Sequence, residues 1–116
     1  MSETNAEITV NGVRYVKATA APAVGEKGPF VVIRTFSAGV HVGELVKRDG
    51  KEVELANSRR VWSWAGARTL SEMSQRGVAK GSKLSEVVPS ITLTEAIEII
   101  PCSVEARSNL LATSWL

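Results

Sequence analysis

The chain has 116 residues, 44% hydrophobic and 22% charged, with a formal net charge of +2, which suits one compact domain and is too short for two ordinary ones. So small a charge argues against sequence-independent nucleic-acid binding, which draws on a basic stripe. One cysteine, Cys102, and one histidine, His41, exclude an intrachain disulfide and a four-cysteine zinc site.

The N-terminus, Met1 to Glu7, has no basic segment followed by an apolar run, and nowhere does an apolar run near the ~18 residues of a membrane span. A soluble, cytoplasmic protein with no membrane partner is expected. Ile8-Thr-Val10 and Val13-Arg-Tyr-Val16 flank Asn11-Gly12, a dipeptide that supplies both positive-φ residues of a type I′ turn, so a hairpin is predicted. Ala18 to Pro29 loses periodicity and is rich in Pro and Gly. It reads as a linker, making residues 1–27 an N-terminal arm and residues 28–116 a single β-rich core domain.

Phe30 to Thr35 is an apolar, β-branched run of strand length. After Ser37-Ala-Gly39, Val40 to Val46 is predicted to pair with Glu52 to Leu55 across a turn at Asp49-Gly50, and Arg59 to Trp64 is the next strand. Thr69-Leu-Ser-Glu72 matches a capping box, in which the Thr69 hydroxyl accepts from the residue-72 amide and the Glu72 carboxylate accepts from the Thr69 amide. Gly77 ends that short helix, and Gly77 to Lys83 reads as a loop. Pro89 to Ile100 is the longest strand candidate, with Glu95 interrupting its alternation and inviting a bulge or a specific partner. Ser103 N-caps a helix that closes the chain. The sum is an α+β fold: a mostly antiparallel β core, one short helix after the Arg/Trp strand, and a C-terminal helix.

Read as a strand, Arg60, Trp62 and Trp64 point to one face. Such a row can stack on a flat base while a guanidinium meets a phosphate; the alternative is that both indoles are core and Arg60 caps the sheet edge. Arg34, Arg59, Arg60 and Arg107 are the cations suited to a phosphate, through their planar forks. Ser37-Ala-Gly39 offers a small amide concavity for an anion or an ordinary turn. A lone His41 suits a hydrogen-bonded structural residue better than a catalyst. The glutamates form no identifiable acid/base pair, and neither Ser37 nor Cys102 sits in an activating motif. We therefore expect a protein that is not an enzyme and that uses no cofactor and no metal.

At Val32-Ile-Arg-Thr-Phe-Ser-Ala-Gly-Val-His-Val-Gly-Glu-Leu, Gly50-Lys-Glu-Val-Glu-Leu, Asn57-Ser-Arg-Arg-Val-Trp-Ser-Trp and Leu93-Thr-Glu-Ala-Ile-Glu-Ile-Ile-Pro-Cys, the chain resembles a family of small phage and prophage proteins. Through it the chain is similar to the first family of Thoeris anti-defence proteins, over residues 30 to 107. The resemblance implies sequestration, without cleavage, of a cyclic ADP-ribose-type signal, and in some members of cyclic oligonucleotides, by a homo-oligomer in the cytoplasm of an infected bacterium, with its pockets at subunit interfaces. Residue types that fit are Trp62 or Trp64 with Arg59 or Arg60 around the base, and Ser37, Asn57, Thr94 and Arg107 near phosphate or ribose. Arg34, Gly39 and His41 complete the candidate set. If the family's stacking aromatic sits in the loop after the helix, this chain departs from the pattern, because Gly77 to Val88 holds no aromatic. The runner-up is a small phage structural or single-stranded nucleic-acid-associated protein using the same Arg/Trp face.

Overall fold

Asn11-Gly12 sits between two short antiparallel strands, β1 (Thr9–Val10) and β2 (Val13–Arg14), with Val10 opposite Val13, as a two-residue hairpin loop requires. This is a computed structural model that describes those four residues and residues 22–113; the turn dipeptide lies outside the described residues.

The β-branched run predicted to open the core does so as β3 (Phe30–Thr35), followed by β4 (Val40–Asp49) and β5 (Glu52–Ser63) in an antiparallel meander. Two further strands pair with the far side of β5: β6 (Lys83–Leu84) with its last residues and β7 (Val88–Leu93) with its first half. β8 (Ala96–Pro101) joins the opposite edge, on β3. Helix α1 (Leu70–Arg76) falls between β5 and β6, and α2 (Val104–Ala112) follows β8. The fold is α+β with a six-stranded antiparallel sheet.

β7 and β8 lie on opposite edges, yet only Thr94 and Glu95 separate them. Each residue spans at most ~3.6 Å, so the sheet must curl to bring its edges together at that end. The Ala96 N–H donates to the Lys51 carbonyl at 2.9 Å, fastening the start of β8 to the β4–β5 turn. Curling creates two cores. Val31, Ile33, Val53, Leu55, Leu93 and Ala96 pack together on the concave side. On the outer side, Phe30, Val32, Val42, Val61 and Leu84 meet Met73 of α1 and Ala106 and Leu110 of α2.

Several expectations shift in register. The predicted Pro89 to Ile100 strand is two strands, because the polar pair Thr94-Glu95 is where the chain changes edges. Glu52 to Leu55 and Arg59 to Trp64 instead belong to one strand ending at Ser63. Asn57, at φ 50°, absorbs an extra residue where the β4–β5 register slips; the left-handed region admits Asn more readily than most side chains. Asp49 pairs with Glu52, so the two-residue turn is Gly50-Lys51, one position later than expected, with Gly50 at φ 61°. β6 occupies the end of the predicted loop. The linker reading also needs amending: Ala23 is buried in the outer core, and its N–H donates to the Cys102 carbonyl at 2.9 Å.

The helix ends follow local chemistry. Thr69 caps α1 by accepting from the Glu72 amide at 3.1 Å, but the Glu72 carboxylate accepts from the Arg68 amide at 3.2 Å instead of from Thr69. Gly77, at φ 82°, ends the helix as predicted, donating to the Met73 carbonyl. Ser103 caps α2 through the Ala106 amide and donates to the Gln75 carbonyl at 2.7 Å, tying the two helices end to end. Asn109 completes the junction, accepting from the Val78 N–H at 2.7 Å and donating to the Val78 carbonyl at 2.9 Å.

Candidate functional site: an arginine and tryptophan cleft

Arg34 stands on the outer face of β3, with Val40 of β4 opposite on one side and Glu98 of β8 on the other. Trp64 follows the last residue of β5, and the chain then turns through Gly66 (φ 87°) into α1. Together they bound an open cleft of about 400 Å³, with Arg34, Trp64, Arg68 and Glu98 as its charged and aromatic walls and Val40, Thr69, Leu70 and Ser71 as the rest of its lining. That volume lies within the roughly 300–1,000 Å³ of small-molecule pockets. Trp64 is 38% exposed and anchored, since its Nε1–H donates to the Ala67 carbonyl at 3.2 Å. The Arg34 to Glu98 ion pair is 3.7 Å long between half-exposed side chains, and such pairs are worth about 0–1 kcal/mol. An incoming anion can therefore take Arg34 at small cost. Two guanidiniums against one carboxylate leave the walls net positive, while Glu98 can accept hydrogen bonds from sugar hydroxyls.

The predicted row of Arg60, Trp62 and Trp64 does not hold as one face. β5 ends at Ser63 and its register shifts between Val61 and Ser63, so period-two alternation does not extend to Trp64, which lies with Arg34 and Val40 on the helix side. Trp62 is 50% exposed, with the Lys83 ammonium 5.5 Å from its ring centroid. Neither indole is core.

Arg59 is corrected most. It is 5% exposed, and its guanidinium donates to four carbonyls, those of Ser85 (2.6 Å), Leu84 (3.3 Å), Leu110 (2.8 Å) and Leu111 (3.2 Å). All of its fork is committed to joining β5, β6 and the C-terminal end of α2. Burial holds its pKa below the ordinary arginine value.

The other predicted residues scatter. Ser37 donates to the Glu95 carboxylate at 2.6 Å, and the Thr35 hydroxyl accepts from the Ala38 N–H at 2.8 Å while donating to the Gly39 carbonyl. The supposed anion concavity thus has its amide occupied and an acid beside it; Gly39, at φ 85°, serves an ordinary turn. Asn57 donates to the buried Glu44 carboxylate at 3.3 Å, which also accepts from the Lys27 N–H at 2.9 Å. Arg107 lies over Phe30 at 5.7 Å. Thr94 is exposed at the bend between β7 and β8. His41 and Arg60 are cross-strand partners on the concave face, away from Trp64. Burial pushes the Cys102 thiol up to about 12, so it is a core side chain and no nucleophile at neutral pH. The unfolded chain loses this proton near 9.0, before the folded one does. The thiol's contribution to stability is therefore complete below that value and is lost as pH climbs toward 12.

A family model covers residues 28–110, most of the chain. The chain belongs to the DUF6948 family, a domain of unknown function. No curated protein and no solved structure matches it. The DUF6948 match spans every wall of the cleft. Arg68 and Glu98 are the cleft residues that the sequence did not single out. Arg68 lies just before the Thr69 cap of α1, and Glu98 reaches Arg34 through β3–β8 pairing. Among the described residues no group of three or more His, Cys, Asp and Glu is arranged for a metal, and no helix is long and apolar enough to cross a membrane.

Proposed function

We propose that this chain binds a cyclic ADP-ribose-type nucleotide in the Arg34–Trp64–Arg68 cleft and sequesters it without cleaving it. The observation that carries this reading is the convergence of an anchored, half-exposed indole and two exposed guanidiniums on one cavity of about 400 Å³. An indole stacks on a base, arginine forks take the phosphates, and Glu98 accepts from ribose hydroxyls. The resemblance described above supports the ligand class. No acid/base pair or activated nucleophile lines the cleft, which supports holding over turnover.

The test pairs calorimetric affinity for cyclic ADP-ribose isomers with thermal unfolding on the same variants. Trp64→Ala should weaken binding by about 1–3 kcal/mol, the scale of a lost base stack, while costing about 2–4 kcal/mol of stability for its hydrogen bond and part-buried ring, less than the domain's whole stability of about 5–15 kcal/mol. Arg34→Gln and Arg68→Gln should each give losses that shrink as salt rises. Trp64→Ala binding like the parent would rule the cleft out.

The same reading includes a homo-oligomer. Phe36 is 78% and Ile97 46% exposed beside the β8 edge, which among the described residues pairs only with β3, and exposed apolar residues along an open strand edge favour a second copy. Light scattering should return at least twice the 12.4 kDa chain mass; a monomer at micromolar concentration contradicts it.

A further inference from the structure

The indole of Trp62 takes no part in the cleft, and it stands among cations on the other side of the sheet. Val61 and Leu84 lie opposite each other in the β5–β6 pairing, and both are buried in the outer core. Side chains alternate along a strand, so their chain neighbours Arg60 and Lys83 project from the concave side, where both are exposed. Trp62 sits where the β5–β6 register shifts, so contact rather than parity places it: the Lys83 ammonium lies 5.5 Å from its ring centroid. Beside Arg60 a space of about 260 Å³ opens, bounded by His41, Ser58, Arg60, Ser85, Val88 and Ile91. The Arg60 N–H donates to the Ser85 hydroxyl at 2.8 Å, which fixes the two sides of that space to each other.

This face combines flat apolar surface with positive charge. Trp62 is 50% exposed, and Val88 and Ile91 give the cavity an apolar wall. Arg60 and Lys83 supply the charge, and among the described residues no carboxylate lines the cavity. An unpaired base with its phosphate matches both, since every base has a π-face and arginine and lysine take the backbone. The Lys83 ammonium holds the ring by a cation–π contact, which at an exposed site is weaker than a base stack, so an arriving base displaces the ammonium toward the phosphate. A duplex does not fit: its bases are stacked inside, out of reach of an indole, and a net charge of +2 supplies no basic stripe along a double helix. An acidic peptide would use the two cations and leave the indole idle.

We propose that the Arg60, Trp62 and Lys83 face binds a short single-stranded stretch of nucleic acid, with one base stacked on Trp62, its neighbour against Val88 and Ile91, and Arg60 and Lys83 on the phosphates. The assignment is independent of the cleft, because none of these residues lines it.

Fluorescence anisotropy of labelled oligo-dT and oligo-U, titrated with the full chain at low salt, should show saturable binding, and the tighter strand tells whether the face takes DNA or RNA. Trp62→Ala should weaken binding about fivefold or more, and Trp62→Phe, which keeps a flat ring, should restore most of it. Arg60→Gln and Lys83→Gln should each weaken binding and reduce the slope of log affinity against log salt by about 0.7, the share of one phosphate on a single strand. Arg34→Gln, in the cleft, should leave affinity and slope unchanged. Thermal unfolding of the same variants separates lost binding from lost fold. The proposal is overturned by the absence of saturable binding to either strand, by parent-like binding in Trp62→Ala or Arg60→Gln, or by a loss in Arg34→Gln equal to that in Arg60→Gln. A duplex of the same sequence binding as tightly, or polyglutamate displacing the strand as readily as unlabelled oligonucleotide, overturns it too.

Discussion

Arg59→Met should lower the stability of the domain by about 2–4 kcal/mol, although the residue is charged and stands one position from an exposed arginine. Its guanidinium donates to the Leu84, Ser85, Leu110 and Leu111 carbonyls. Methionine keeps the stem's packing but leaves those carbonyls without the fork. Two of them are at the last turn of α2, where carbonyls have no intrahelical partner, so the helix end should loosen first. Urea unfolding should give a lower midpoint with an unchanged slope, while Arg60→Met, on the opposite face, stays within about 0.5 kcal/mol as surface changes do. Equal midpoints for Arg59→Met and the parent would refute the structural role.

Phe30→Ala should be more damaging still, at about 3–5 kcal/mol, enough to unfold a domain whose whole stability is about 5–15 kcal/mol. The ring is 1% exposed, in the core between the sheet and the helices, with the Arg107 guanidinium 5.7 Å from its centroid. Its backbone holds three segments together: the Phe30 N–H donates to the Ala23 carbonyl at 3.0 Å, and its carbonyl accepts from the Cys102 N–H at 2.9 Å. Truncation leaves a cavity where these meet and removes the surface under Arg107. Phe30→Leu, which keeps most of the volume, should lose less than half as much in the same unfolding assay. A melting temperature for Phe30→Ala within a degree or two of the parent would contradict this placement of the core.

Features set by neighbours in the chain were legible in the sequence. Thr69 and Ser103 cap their helices, Gly77 stops α1, and Val10 pairs with Val13, because each depends on chemistry within a few residues. What escaped depends on distant partners or on parity. Arg59 and Arg60 look alike in sequence. One faces carbonyls 25 to 52 residues away and is buried, while the other faces an open cavity. The register shift between Val61 and Ser63 and the end of β5 at Ser63 reset the alternation that placed Trp64 beside Arg60. The crossing from β7 to β8, which puts Glu98 opposite Arg34, is hidden because an apolar strand reads the same on either edge. Sequence alone thus pointed to arginine and tryptophan, and the fold brings Arg34, Trp64 and Arg68 to one cleft.

The claim that this cleft holds a nucleotide intact is tested most directly by incubating purified protein with cyclic ADP-ribose isomers and cyclic di- and trinucleotides, washing it, denaturing it by heat, and identifying what is released by mass spectrometry. One cyclic ADP-ribose-type compound should be recovered unaltered, in an amount set by the protein and unchanged by prolonged incubation with excess ligand. Retention of no compound, or a linear product accumulating beyond the amount of protein, would contradict it.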